Sequence, residues 1–218
     1  MKQFKNLQEG MTMKKHTSAE QFDAVHTLVE NTVLDGQAVM RVVKKDKVDF
    51  FDENTYAVLK DTLLHNGTIE VRLRSRLLPD APDFARGFVG IVFRAKENSS
   101  EFESFYVRPT NGRGCTDPVR KAHGCQYFSY PGYTFRYFRE FGVTEYEAPV
   151  EVGLDEWFTI RAVLSEEQAF FYLNGDPNPV LTVPRLKHGS GSAGRLGIYV
   201  DIGTEAFVSD ITVVPTED

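Results

Sequence analysis

Residues 105–141, FYVRPTNGRGCTDPVRKAHGCQYFSYPGYTFRYFREF, gather six Lys or Arg against two Asp or Glu, and ten of the chain's 27 aromatic residues. The local balance is +4 in a chain whose net charge is −6. Guanidinium forks donate paired hydrogen bonds to hydroxyls and carboxylates, and aromatic faces stack on the C–H faces of sugar rings. Strand parity sorts the side chains. If Val89, Ile91, Phe93, Phe105 and Val107 face a core, then Arg94, Tyr106 and Arg108 share the opposite, exposed face. Gln126 joins them from a neighbouring strand, Asn111 and Arg113 from the intervening loop, and Tyr130 and Tyr133 from the rim. A neutral or acidic glycan suits that surface. The same residues also fit a second reading, in which Arg stacked on Tyr braces a sheet face and Phe128, Phe135 and Phe138 belong to the core.

Other chemistry is sparser. Glu101 and Glu103 stand two apart on one strand face, but they share parity with Phe105 and Val107, so they read as a solvated strand end on the core side rather than a catalytic pair. GSGSAG (189–194) matches G-x-G-x-x-G but leads into a strand instead of opening a helix, so it reads as a turn. No G-x-S-x-G or H-E-x-x-H is present, and His123 reads as an exposed loop histidine. No catalytic motif is complete, so the chain's standing as an enzyme stays open. Cys115 and Cys125 frame one loop: bridged in an exported protein, free thiols in a reducing compartment. Two cysteines without a second pair or a fitting His spacing make no metal framework, so no metal site is expected.

The elements that must position these residues are strands. Asp35-Gly36 between two β-branched runs is a hairpin signal. GTIEVRLRSRLL alternates Ile69, Val71 and Leu73 against Glu70, Arg72 and Arg74, the pattern of a half-buried strand. Further strands read from GFVGIVFRA, EFESFYVRP, CQYFSY, YTFRYF, EWFTIRAVL, AFFYLNG, PVLTV, RLGIYVD and EAFVSDITVV, with Trp157 anchoring the core. Ser18 and Gln21 have capping-box spacing, which predicts one helical turn. Ten or more strands with hardly a helix make an all-β sandwich or barrel. Residues 1–17 read as a flexible segment and 18–218 as one domain.

At 41% hydrophobic and 26% charged, the composition is that of a globular protein. Net acidity argues against nucleic-acid partners, and no apolar run reaches the eighteen or more residues of a membrane span. The first residues carry no apolar h-region, which gives a cytoplasmic location by default, or an exported one if a leader was removed.

LLHNGTIEVRLRSR, GFVGIVFRAKENSSEFESFYVRPTNGR, EWFTIRAVLSEEQAFFYLNG and GRLGIYVDIGTEAFVSDITV, in that order, resemble the concanavalin A-like lectin/glucanase superfamily, including laminin G-type domains. A relation to 3-keto-disaccharide hydrolase-like domains is also in view. The resemblance implies a jelly roll of two curved antiparallel sheets that meets a glycan on its concave face and rim loops. It also allows two alternatives, a glycoside hydrolase and a laminin G-type protein-interaction module with a protein partner. No cofactor is expected. By resemblance alone a structural calcium is allowed, with Asp23, Asp35 and Asp210 as candidate ligands.

Overall fold

A computed structural model describes residues 14–16, 18–45, 50–189 and 193–216. In chain order the strands are β1 (Lys14–His16), β2 (Phe22–Val25), β3 (Thr27–Leu34), β4 (Gln37–Lys44), β5 (Tyr56–Leu64), β6 (Gly67–Leu77), β7 (Val89–Ala95) and β8 (Phe102–Val107). They continue as β9 (Cys125–Tyr130), β10 (Glu147–Ala148), β11 (Phe158–Ser165), β12 (Gln168–Leu173), β13 (Leu181–Val183), β14 (Gly194–Val200) and β15 (Thr204–Pro215). Two antiparallel sheets result. One runs β13-β12-β11-β6-β15-β4-β3, with β1 on one end of β15, and the other runs β10-β9-β8-β7-β14-β5-β2. Of the sandwich and the barrel that the alternating strands allow, this is the sandwich, with the jelly-roll sheets that the resemblance implies.

The parity reading holds where the sheets face one another. Val89, Ile91, Phe93, Phe105 and Val107 are fully buried, and Phe105 stacks on Phe171 of the opposite sheet with centroids 4.2 Å apart. Asp35 and Gly36 both take positive φ (51° and 80°), which a two-residue hairpin turn with the twist of its flanking strands requires. The main cluster of buried apolar residues extends from Phe22 to Val213.

Four expectations need correction. Lys14–His16 pairs with Ile211–Val213, so this part of the segment expected to be flexible is docked; residues 1–13 and 17 lie outside the described residues. The helical turn at Ala19–Gln21 forms, but Ser18 makes no side-chain cap; its hydroxyl bonds Glu20 instead. Trp157 precedes β11 and is only half-buried, against the small cluster of Leu34, Val39 and Phe207, with Arg72 4.9 Å from its ring. YTFRYF is not a strand. Phe135–Glu140 is a helix, preceded by the Pro131-Gly132 turn in which Gly132 has φ 99°. Its apolar period is three rather than two, with buried Phe138 three residues after Phe135 and exposed Arg136 and Arg139 between and beyond them. We label this helix α2; the shorter α1 (Pro118–Lys121) is capped by the Asp117 carboxylate, which accepts from the Val119 and Arg120 N–H groups.

Candidate functional site

The outer face of the seven-stranded sheet carries Tyr106 of β8, Arg108 just after it, Gln126 of β9 and Tyr199 of β14. Tyr106 and Tyr199 stand on either side of Gly90 in register, and their rings stack 5.5 Å apart. Gly90 is required there, because a Cβ would come within 2.0 Å of the Phe105 carbonyl oxygen. Parity placed this face in solvent. The structure buries it: Tyr106 is 1% exposed, Arg108 4% and Gln126 0%. The cover is the segment 50–55 together with the start of α2. Phe51 sits edge-on to Phe88 (5.8 Å) and against Phe135 (5.5 Å), and Phe88 in turn meets Tyr106. Sequence alternation says which way a side chain points, but not what folds back over it.

A continuous polar network lies beneath that cover. Arg108 donates to Glu147 Oε1 (2.7 Å), the Tyr106 hydroxyl (2.9 Å), the His123 carbonyl (3.1 Å) and Gln126 Oε1. Gln126 Nε2 donates to Asp52 Oδ2 at 3.1 Å, and the same oxygen accepts the Phe135 backbone N–H. The Asp52 N–H donates to Asp201 Oδ2 at 3.0 Å, and the Tyr199 hydroxyl donates there at 2.9 Å. Asp201 Oδ1 accepts from Lys44 Nζ and from the Ile202 N–H. Burial alone would raise the Glu147 carboxyl, but the Arg139 hydrogen bonds and the charge of Arg108 outweigh it and hold the carboxyl below its ordinary range.

Asp52 differs from its partners. It is 1% exposed, and its Oδ1 has no hydrogen-bond partner among the described residues. The Tyr106 hydroxyl faces the carboxyl and favours its charge without completing hydrogen-bond geometry to Oδ1. Burial, reinforced by the neighbouring Asp201 carboxylate, pushes the Asp52 carboxyl up to about 7 against the donors around it. Asp52 also borders an open cleft of 920 Å³. Phe50, Phe51, Tyr130 and Phe135 wall the cleft, and Arg136 and Glu140 lie at its lip. Aromatic walls around a buried acceptor suit a ligand with apolar ring faces and hydroxyl edges.

The sequence-derived candidates divide. Tyr106, Arg108 and Gln126 form the network behind the cleft, and Tyr130 lines the cleft itself. Asn111 is 5% exposed and donates to the His123 carbonyl, so it braces the loop. Arg113 bonds the Glu151 carbonyl and Glu156, away from the cleft residues. Tyr133 packs on Tyr137 and His188. Arg94 leaves the expected face altogether. Its φ is 51°, beside a register shift between β7 and β14, and a bulge resets the alternation. Its guanidinium donates to the carbonyls of Gly189 (2.9 Å), Glu166 (2.6 Å) and His65 (3.3 Å), tying three turns together.

Glu101 meets Lys96 at the surface, as a solvated strand end should. Glu103 does not. It is 1% exposed and accepts from Tyr127 (2.6 Å), Ser129 and the His188 N–H (3.0 Å), and burial raises its carboxyl against those donors. His123 brings Nδ1 to 2.9 Å from Glu147 Oε2 without hydrogen-bond geometry, and its side chain is 26% exposed. Both cysteines are free thiols, Cys125 buried in β9. Asp23 pairs with Lys60 and Arg195, and Asp35 with Arg74. Asp210 accepts from Ser209 on β15.

Sequence reasoning missed Asp52, Asp201, Tyr199, Lys44 and Glu147. They come from four separate parts of the chain, and only the Tyr199–Asp201 spacing on one strand face carried a local signal.

No protein-family model matches the chain, and no curated protein matches its sequence. Solved structures do match. A carbohydrate binding module, CBM66 from Bacillus subtilis, superposes with a TM-score of 0.57 over 89% of this chain and 96% of that chain, at 12% identity. A prokaryotic β-1,3-1,4-glucanase (lichenase) derived from a mouse hindgut metagenome gives 0.52 over 94% and 100%, at 10% identity. A Bacillus subtilis protein with a galectin-like fold gives 0.52 over 91% and 92%, at 11% identity. The shared architecture is a jelly-roll sandwich of two antiparallel sheets.

Proposed function

We propose that this concanavalin A-like jelly roll is a carbohydrate-binding domain that holds a glycan in the cleft between residues 50–53 and α2. The observation that carries the reading is the cleft that Phe50, Phe51, Tyr130 and Phe135 line together with Asp52, whose Oδ1 has no partner among the described residues. Sugar rings present apolar C–H faces to such walls and hydroxyls to such an acceptor. The same fold in a carbohydrate binding module and a glucanase supports a saccharide as the ligand. Phe50 is 58% exposed, so its removal leaves the core intact. A glycan array should give a defined saccharide hit, and Phe50→Ala should weaken that hit by about 2- to 12-fold, the worth of one aromatic contact. A hit with undiminished affinity in the variant removes the cleft from the account.

A second reading, a glycoside-acting hydrolase, is favoured by one feature. Asp52 is a buried acid able to hold a proton near neutral pH, as a general acid must. Both Asp201 oxygens are occupied, so the second carboxyl would have to be Glu53 or Glu140 of the cleft. Turnover of oligosaccharides, abolished by Asp52→Asn, would establish it; binding without turnover removes it.

A further inference from the structure

We propose that Asp52 Oδ1 accepts a hydroxyl of the bound ligand, and that the cleft thereby selects uncharged saccharides over uronates and sulfated sugars, with a proton released on binding. This rests on the carbohydrate reading above.

The first ground is hydrogen-bond accounting. Buried polar atoms in folded proteins nearly always have partners. Asp52 Oδ2 is used twice, by Gln126 and the Phe135 N–H, while Oδ1 has no partner among the described residues and the residue lines the cleft. A donor brought by the ligand completes the set.

The second ground is charge. Asp52, Asp201 and Glu147 are matched by Lys44, Arg108 and Arg139, three acids against three bases, in direct contact through the network. An anionic ligand at Oδ1 would stand beside two carboxylates whose counter-charges are already committed. At the lip, Arg136 is opposed by Glu53 and Glu140. A neutral polyhydroxyl ligand disturbs neither balance.

Proton release follows from the same contact. A hydroxyl donating to Oδ1 favours the charged carboxyl. Asp201, the Phe135 N–H, Arg108 and Tyr106 set its titration together with burial; Tyr199 on β14, Lys44 at the end of β4, and Arg136 and Arg139 of α2 are the other titratable or charged groups around Asp201 and the cleft. The free carboxyl titrates at about 7. Binding that lowers this value gains affinity as pH rises through neutrality and loses it below.

The test is calorimetric titration of wild-type protein and Asp52→Asn at pH 5.5 and 8.5. The probes are neutral gluco- and fructo-oligosaccharides and oligogalacturonates. In the variant, the amide oxygen can take the Gln126 and Phe135 bonds while an NH2 donor replaces the free acceptor. Far-UV circular dichroism and melting confirm that it folds. We expect a neutral sugar to bind wild type roughly tenfold more tightly at pH 8.5 than at 5.5, with the slope absent in the variant. Neutral binding without a pH slope, a slope retained in the variant, or binding of oligogalacturonates alone overturns the inference and leaves a carbohydrate ligand standing. Failure of every saccharide in both proteins overturns the inference and the carbohydrate reading together.

Discussion

The backbone N–H of Asp52 donates to Oδ2 of Asp201 at 3.0 Å, so one buried carboxylate pins the segment that carries another. Their proximity also raises Asp52 from an ordinary 3.8 to about 7, burial being the larger cause. A carboxyl whose folded value is raised contributes stability that is fully present below its unfolded value and is lost as pH rises through its folded value. Wild-type protein should therefore lose stability relative to Asp52→Asn between pH 4 and 7, by an amount on the order of 4 kcal/mol, and hold a constant gap above that. Urea denaturation of both proteins across this range reads the gap directly. A gap independent of pH contradicts the buried, protonated Asp52.

Arg108 braces the fold. Its guanidinium is spent on Glu147, Tyr106, Gln126 and the His123 carbonyl. Arg108→Ala leaves Glu147 buried with a lost partner and should destabilise by roughly 3–5 kcal/mol in thermal or urea unfolding. Arg108→Lys should recover little of this, because a point charge cannot reach four acceptors set around a planar fork. A near-neutral alanine variant would show that the network is not structural.

The thiols should differ sharply. Cys125 is buried on the core side of β9, and burial pushes its thiol up to about 12. Cys115 sits half-exposed in the loop, its Sγ 3.5 Å from the Asp117 carbonyl. Alkylation followed by mass spectrometry should add one label to native protein and a second only on unfolding. Two labels on native protein, or a Cys115–Cys125 bridge in the isolated protein, contradicts this arrangement.

The fold was legible because alternation survives in most strands: Ile69/Val71/Leu73, Val89/Ile91/Phe93 and Phe105/Val107 all point inward as their period requires. Legibility failed where a local backbone event broke the period. The positive φ of Arg94 sends its side chain to three carbonyls, and a period of three hides in the aromatic run at Phe135. The site was half legible. Tyr106, Arg108 and Gln126 are neighbours, as parity and pairing say, with Tyr106 and Gln126 opposite one another. That they lie beneath Asp52 and Phe135 depends on contacts across 74 and more positions of the chain, which no local pattern encodes.

The central claim is the location of the glycan, and amide chemical-shift mapping with the best array ligand tests it most directly. The Phe135 N–H, which bonds Asp52, and the amides of residues 50–53 should shift on titration and saturate with the affinity measured by calorimetry. The contrary result is a stationary Phe135 amide with shifts in residues 149–152 and 174–180, which line a separate 520 Å³ cleft, or around Asp23, Lys60 and Arg195.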